Sequence, residues 1–233
     1  MMSEANEGKA LTVEVGGTSY QRIPIRTRVV MPGDSLEEFI REYAPEHLRA
    51  GDILFVTEKI VAITQGRSFR LDEIHPRPLA RFLSKYVTRT PYGIGLGMPE
   101  TMEMALRECG TPRILFAAAV SAVTKALGRK GDFYRIAGDK ARAIDGPTSG
   151  TIPPYNKAVV LGPEKPQQVA RTLQRLVGIE GVDVAVVDIN DIGGNILGST
   201  LDRAGEQRLV EILSDNPLGQ GHQSTPLGVI RRA

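Results

Sequence analysis

Apolar and polar positions along the chain follow two different periods, and the periods change at glycines and prolines. Leu11 to Val15 alternates like a short strand, Gly16-Gly17 turns it, and Arg22 to Val30 reads as a second extended segment. Pro32-Gly33-Asp34-Ser35 stops that segment, and Ser35 with Glu38 three residues later has the form of a capping box. Leu36, Phe39, Ile40 and Tyr43 then recur at helical spacing. Gly51-Asp52 leads into a β-rich run at Ile53 to Val56, and apolar residues continue to Ile63. Helices are expected from Pro76 or Pro78 to Tyr86, from Pro99 to Cys109 with Gly110 as the stop, and from Pro166 to Gly178 with Val169, Leu173, Leu176 and Val177 on one face. Ile114 to Val123 is a continuous apolar run, too short to cross a bilayer, and reads as a buried strand or strand pair. Val182 to Val187 is a buried strand, Arg203 to Leu213 the last helix and Leu227 to Ile230 a closing strand. Interleaved helices and strands predict a mixed α/β (α+β) protein, with a mixed sheet and helices packed on it.

Composition narrows the class. A chain of 233 residues, 41% apolar and 24% charged, suits one unit or two small lobes with a real core, with residues 1–10 as a polar tail. A net charge of +2 implies neither nucleic acid nor an anionic membrane as partner, and the polar start of the chain lacks the apolar run of a signal peptide, so the cytoplasm is the expected home. Cys109 is the single cysteine, which excludes an internal disulfide and a cysteine-rich zinc site, and it reads as core filler.

Three polar segments carry candidate chemistry. In Val187-Asp188-Ile189-Asn190-Asp191-Ile192-Gly193-Gly194-Asn195, a strand ends in two carboxylates three residues apart, followed by a glycine pair. Carboxylates in such a place suit Mg²⁺ or Mn²⁺, and adjacent glycines let backbone amides approach phosphates. Ile144-Asp145-Gly146-Pro147-Thr148-Ser149 offers a third carboxylate, Asp145, on a rigid turn. Gln220, Gly221, His222 and Gln223 lie on a polar, glycine-rich stretch just before the last strand, where a ligand could be covered. His47 and His75 have no partner in the sequence pattern and read as structural. Gly93-Ile94-Gly95-Leu96-Gly97 lacks the spacing and the following Lys-Ser/Thr of a nucleotide loop and reads as a tight turn.

In chain order these pieces resemble the coenzyme F-420-0:γ-glutamyl ligase family. Ile23-Pro24-Ile25 with Pro32-Gly33-Asp34-Ser35-Leu36 is similar to the family's opening segment, and Gly51-Asp52 through Thr57-Glu58-Lys59-Ile60-Val61 is similar to its Gly-Asp-x-x-x-Val-Ser-x-Lys-Ile-Val stretch. Ile144-Asp145, Val187-Asp188-Ile189 and Gln223-Ser224-Thr225-Pro226 resemble its Asp loop, its metal-binding strand end and its closing segment. Ala62-Ile63 stands where the family has Ser-Lys, which leaves Lys59 to substitute, and Thr148 stands for an Asn. The resemblance implies GTP (or ATP) and Mg²⁺ or Mn²⁺, with L-glutamate joined to a carboxylate acceptor, in an intertwined homodimer. It implies catalytic roles for Lys59 and Asp188, metal ligation by Asp145, Asp188, Asp191 and Gln223, and nucleotide contacts from Pro24, Ile25, Arg26, Thr57, Glu58, Thr148, Gly193, Gly194, Asn195, Gln220 and Gly221. The rival expectation is a catalytically silent relative that binds a nucleotide or metabolite.

Overall fold

The computed structural model describes residues 9–87, 95–129, 131–148, 150–190, 193–217 and 224–233. Its elements run, in chain order, β1 (Thr12–Val15), β2 (Thr18–Ile25), α1 (Leu36–Tyr43), β3 (Ile53–Thr57), α2 (Glu58–Thr64), β4 (Ser68–Arg70), α3 (Pro78–Leu83), α4 (Pro99–Glu108), α5 (Thr111–Ala126), α6 (Asp132–Ala137), α7 (Asp139–Arg142), β5 (Ala158–Val160), α8 (Pro166–Val177), β6 (Asp183–Asn190), β7 (Gly193–Ser199), α9 (Arg203–Leu213) and β8 (Leu227–Arg232), with short 3-10 turns between some of them. The fold is mixed α/β, as the interleaved pattern predicts. The chain divides into two compact units, one made of Met1–Gly66 with Pro163–Ala233, the other of Arg67–Gly162.

The first unit is built on a six-stranded sheet in the order β1-β2-β8-β3-β6-β7. Only β3 and β6 pair in parallel; the other neighbours are antiparallel. Leu54 and Val56 of β3, and Val184 and Val186 of β6, are fully buried, as central strands covered on both faces require. On one face Ala185 and Val187 join Phe55, Tyr20 and Ile230 in a cluster with Leu209, Ile212 and Leu213 of α9. The other face is packed by α2 and α8, with α1 against α8.

Local chemistry sets the helix ends. Ser35 accepts the Glu38 amide at 3.3 Å and caps α1, and Asp202 accepts the Gly205 amide at 2.7 Å and caps α9. Gly178 ends α8 in the left-handed conformation, at φ 64°. Arg22, almost fully buried in β2, donates to the Ile212 carbonyl (3.0 Å) in the last turn of α9 and to the Ala10 carbonyl (3.0 Å), and pairs with Asp215. A cation here satisfies carbonyls that a helix end leaves open, and it ties down residue 10 of the expected tail. Buried Asp52 takes a bidentate bond from Arg231 (2.9 and 2.6 Å) and the Arg49 amide (2.7 Å), joining the turn before β3 to β8. The hydrogen bond to Asp52 raises the Arg231 guanidinium further above its already basic value.

The second unit has a two-stranded sheet, β4 with β5, and a core formed chiefly by α4, α5 and their neighbours around Met102, Leu106, Ile114, Val159 and Leu161. One of its buried carboxylates is Glu103, which accepts from the Arg77 amide (3.1 Å), the Arg77 guanidinium (3.0 Å) and Arg107 (2.9 Å). Burial pushes this carboxyl up, but the bonds from Arg77 and Arg107 outweigh burial and hold it below its ordinary range.

Four elements depart from the expectations or add to them. Residues 114–123 lie inside helix α5, not in a strand. Pro112 in its first turn and the alanines at 117–119 favour a helix, and burial of Ile114 and Ala117 alone follows helical spacing. The apolar residues after Thr57 form α2, and 193–199 form strand β7 where a loop was expected. The second extended segment starts at Thr18 and ends at Ile25, short of Val30. Among the described residues no helix is long and apolar enough to cross a membrane.

Two stability predictions follow from these contacts. At Gly198 in β7 an added Cβ would meet the Gln167 amide nitrogen at 2.3 Å and the Pro166 carbonyl carbon at 2.4 Å, both backbone atoms of α8. Gly198→Ala is expected to cost about 1–3 kcal/mol, a fall in Tm of roughly 2–4 °C per kcal/mol by calorimetry. For Glu103, a depressed folded value means that its contribution is present above the ordinary glutamate range and is lost as pH falls through the lower folded value. Unfolding in urea as a function of pH should show this acid loss in the wild type and flatten it in Glu103→Gln, which loses about 2 kcal/mol at neutral pH.

Candidate active site

The strand register gathers residues from distant segments at one end of the six-stranded sheet. The last rungs pair Ile25 with Leu227, Leu227 with Val56, and Thr57 with Val187. Past a bulge at Val186/Val187, Asp188 stands opposite Asn195. Pro24, Ile25 and Arg26 therefore reach the same end as Thr57, Glu58 and Lys59, and as Asp188 and Asn195. Two backbone bonds extend this end beyond the ladder: the Thr57 amide donates to the Pro226 carbonyl (3.0 Å), and the Thr27 amide to the Ser224 carbonyl (2.9 Å). Because β3 and β6 run in parallel, this is the carboxyl end of both, where ligands bind in open α/β sheets.

The direction of each side chain follows from the pleat. Ala185, Val187 and Ile189 pack toward α9, so Asp188 projects from the other face, the one that α2 and α8 cover. Asn195, directly opposite, shares that face, with Cβ atoms about 4.5–5.5 Å apart in such pairs. Asp188 and Asn195 thus share one rung and one face of the β6–β7 pair, and a carboxylate and an amide oxygen are of the hard donor type that Mg²⁺ or Mn²⁺ takes. β3 passes directly into α2 at Thr57, which places Glu58 and half-buried Lys59 in the first turn of that helix, next to the β3–β6 ladder. Ala62 and Ile63 are buried on the same helix and serve its packing.

The structure corrects the local reading of two candidates. Asp188 is not the last residue of its strand: β6 continues to Asn190. Gly193 and Gly194 belong to β7 and pair with Asn190 and Ile189, so they do not form a loop open to phosphates. At Gly194 the space of a side chain is taken by Ile189, whose Cδ1 would lie 2.4 Å from an added Cβ. An alternating apolar pattern is weak in Gly193-Gly194-Asn195-Ile196-Leu197-Gly198, and the strand is recognisable only through its partner.

The remaining candidates fall elsewhere. Asp145 belongs to the second unit, where its backbone bridges Val160 (2.8 and 2.9 Å) beside β5. Thr148, in the same unit, shares a hydrogen bond with the Thr151 hydroxyl (2.7 Å) and accepts the Thr151 amide at 3.1 Å. Asp191, Gln220, Gly221, His222 and Gln223 lie outside the described residues, as do residues 93 and 94 of the turn expected at 93–97, of which 95 and 96 do form a turn. Among the described residues no group of three His, Cys, Asp or Glu side chains gathers at a common point. A depression in the first unit, about 430 Å³ and lined by Thr18, Tyr20, Arg208 and Arg232, lies at the opposite end of β2 and β8 and is not this site.

Sequence reasoning passed over two hydroxyls here. Thr27 and Ser224 meet at 3.3 Å just past the end of the β2–β8 ladder. Nothing in either local stretch signals the pairing, which becomes visible only from the register of two strands far apart in the chain.

Comparison with known proteins points to one family. Residues 24–200 match the family described as F420-0:Gamma-glutamyl ligase. The chain is also 30% identical over 200 residues to the Coenzyme F420:L-glutamate ligase of Methanopyrus kandleri, which covers 82% of this chain and 68% of that protein.

Proposed function

Because the chain belongs to the F420-0:gamma-glutamyl ligase family, we propose that it joins L-glutamate by an amide bond to a carboxylate of a coenzyme F-420 precursor or a similar acid, using GTP or ATP with Mg²⁺ or Mn²⁺. The observation that carries this reading beyond the family is the gathering of Arg26, Thr57, Lys59, Asp188 and Asn195 at the carboxyl end of the parallel strands.

Amide formation from a carboxylate needs an activated acyl group. In the proposed reaction an acceptor carboxylate oxygen attacks the terminal phosphorus of the nucleotide, and the nucleoside diphosphate leaves. The glutamate amine then attacks the acyl carbon, the C–N bond forms, the C–O bond to phosphate breaks, and the amine gives up a proton. No covalent bond to the protein is required, so the side chains act by positioning and by neutralising charge. Asp188 and Asn195 would hold a divalent cation, which when bound supplies charge neutralisation at phosphate oxygens. Lys59 and Arg26 would face the negative charge that develops on the transferred phosphoryl group. Metal ligation by Asp145, Asp191 and Gln223 and nucleotide contacts from Thr148, Gln220 and Gly221 are proposed from the resemblance to the family alone. A cytoplasmic location belongs to the same proposal.

The reading also includes a homodimer. Leu115, Phe116, Val123 and Leu127 on and just after α5 are 42%, 62%, 63% and 75% exposed, an apolar row of the kind that lone chains seldom leave to water. Light scattering at micromolar concentration should give twice the chain mass, and a monomer mass would remove this part of the proposal.

Asp188→Asn keeps the shape of the side chain and removes its charge. Coupled assays of nucleotide hydrolysis and of glutamate incorporation should show turnover falling on the order of a hundredfold or more, several kcal/mol of lost transition-state stabilisation. Tm without ligand should stay within about 3 °C of wild type. In the wild type, GTP or ATP with metal at about a hundred times Kd should add roughly 2.7 kcal/mol of stability, and the variant should lose the metal-dependent part. Full turnover in Asp188→Asn would sink the assignment.

A further inference from the structure

We propose that Thr27 and Ser224 form a hydroxyl clasp that positions Arg26 against the Thr57–Lys59 segment for nucleotide binding, an inference that rests on the ligase reading above. Residues 224–226 lie between two segments of the site. On one side Ser224 offers its carbonyl to the Thr27 amide (2.9 Å); on the other Pro226 offers its carbonyl to the Thr57 amide (3.0 Å). The stretch is thus a spacer whose two backbone bonds set how far Arg26 stands from the start of α2.

The regular β2–β8 pairing ends at Ile25 and Leu227, so ladder bonds alone do not fix the chain at Thr27. The side chains supply what the ladder lacks. Thr27 Oγ1 lies 3.3 Å from Ser224 Oγ, and both hydroxyls donate to the Arg28 carbonyl, at 2.8 Å from Thr27 and 3.3 Å from Ser224. Two protons therefore serve three close oxygen contacts, which leaves little freedom to any of the three groups.

The acceptor of this clasp is itself anchored. The Arg28 guanidinium binds Asp34 Oδ2 at 2.5 Å and sits 5.3 Å from the centroid of Phe39, which is buried in α1. Asp34 in turn accepts the Met31 amide at 2.7 Å. The Pro32-Gly33-Asp34 turn, read from the sequence as a mere strand stop, holds the backbone that the clasp grips. Thr27 and Ser224 are both only half-buried, so removing their hydroxyls opens no core cavity. The clasp contributes alignment more than stability.

The test uses the full chain and steady-state kinetics with GTP and ATP, metal, glutamate and the accepted acid. Thr27→Val and Ser224→Ala each remove one hydroxyl and nearly keep the shape. Each is expected to raise the nucleotide KM about three- to tenfold, the range that one net hydrogen bond spans. The expected kcat stays within about twofold, as for a residue that aligns binding groups without touching the reacting atoms. Thr27→Ser and Ser224→Thr restore the hydroxyls and should restore KM, and the double variant should be no worse than either single one. Unchanged KM in both deletions, or a lower Tm with unchanged KM, overturns the clasp while leaving the ligase reading intact. A wild-type chain without nucleotide-dependent turnover overturns the ligase reading and the clasp together.

Discussion

The parallel pairing of β3 with β6 is the constraint from which the rest of the first unit follows. Parallel strands cannot be joined by a tight turn and need a crossover. In this chain the crossover runs through α2, the whole of the second unit, and α8 before β6 begins. Because both strands point the same way, their carboxyl ends lie together, and Thr57 and Val187 become neighbours. The helix that begins after one strand and the carboxylate that follows on the other are thereby placed at one spot. An antiparallel pairing of the same two strands would have sent Asp188 to the far end of the sheet from Lys59.

Much of this frame can be read from the residues, for reasons that differ from element to element. Ser35, Gly178 and the span Arg203–Leu213 mark helix ends through capping and backbone chemistry that is local, so short windows suffice. Residues 114–123 misled because a buried strand and an alanine-rich helix both present an unbroken apolar run; Pro112 and the alanines were the better guide. β7 was hidden because its glycines and Asn195 have poor strand character, and only the register against β6 makes them a strand.

The candidate site divides along the same line. Asp188 stands out through a local pattern, a strand followed by carboxylates, whereas Lys59 and Arg26 come only from the resemblance to the family. The strand register brings all three to one end of the sheet. The glycine pair was misplaced, since Gly193 and Gly194 look alike in a phosphate loop and in a crowded hairpin where Ile189 fills the missing side-chain volume. Thr27 and Ser224 have no signal at all in sequence, because two lone hydroxyls acquire meaning only when separate strands align them. Buried charges behaved similarly: Arg22, Asp52 and Glu103 look like ordinary surface residues, yet each is a junction between segments distant in the chain.

The place of β8 in the sheet bears on how this protein is made. Strands β2 and β3 flank β8, which follows every other strand in chain order. Until it arrives during synthesis, β2 and β3 each expose an open edge, and the sheet exists as two halves. Closing it joins residues about 170 to 210 positions apart in the sequence, the kind of non-local step that slows folding. The waiting edges are also where nascent chains pair wrongly with one another. Asp52 gripping Arg231 and Pro226 receiving the Thr57 amide can therefore form only after β8 has been synthesised, later than the contacts among the earlier strands of this sheet.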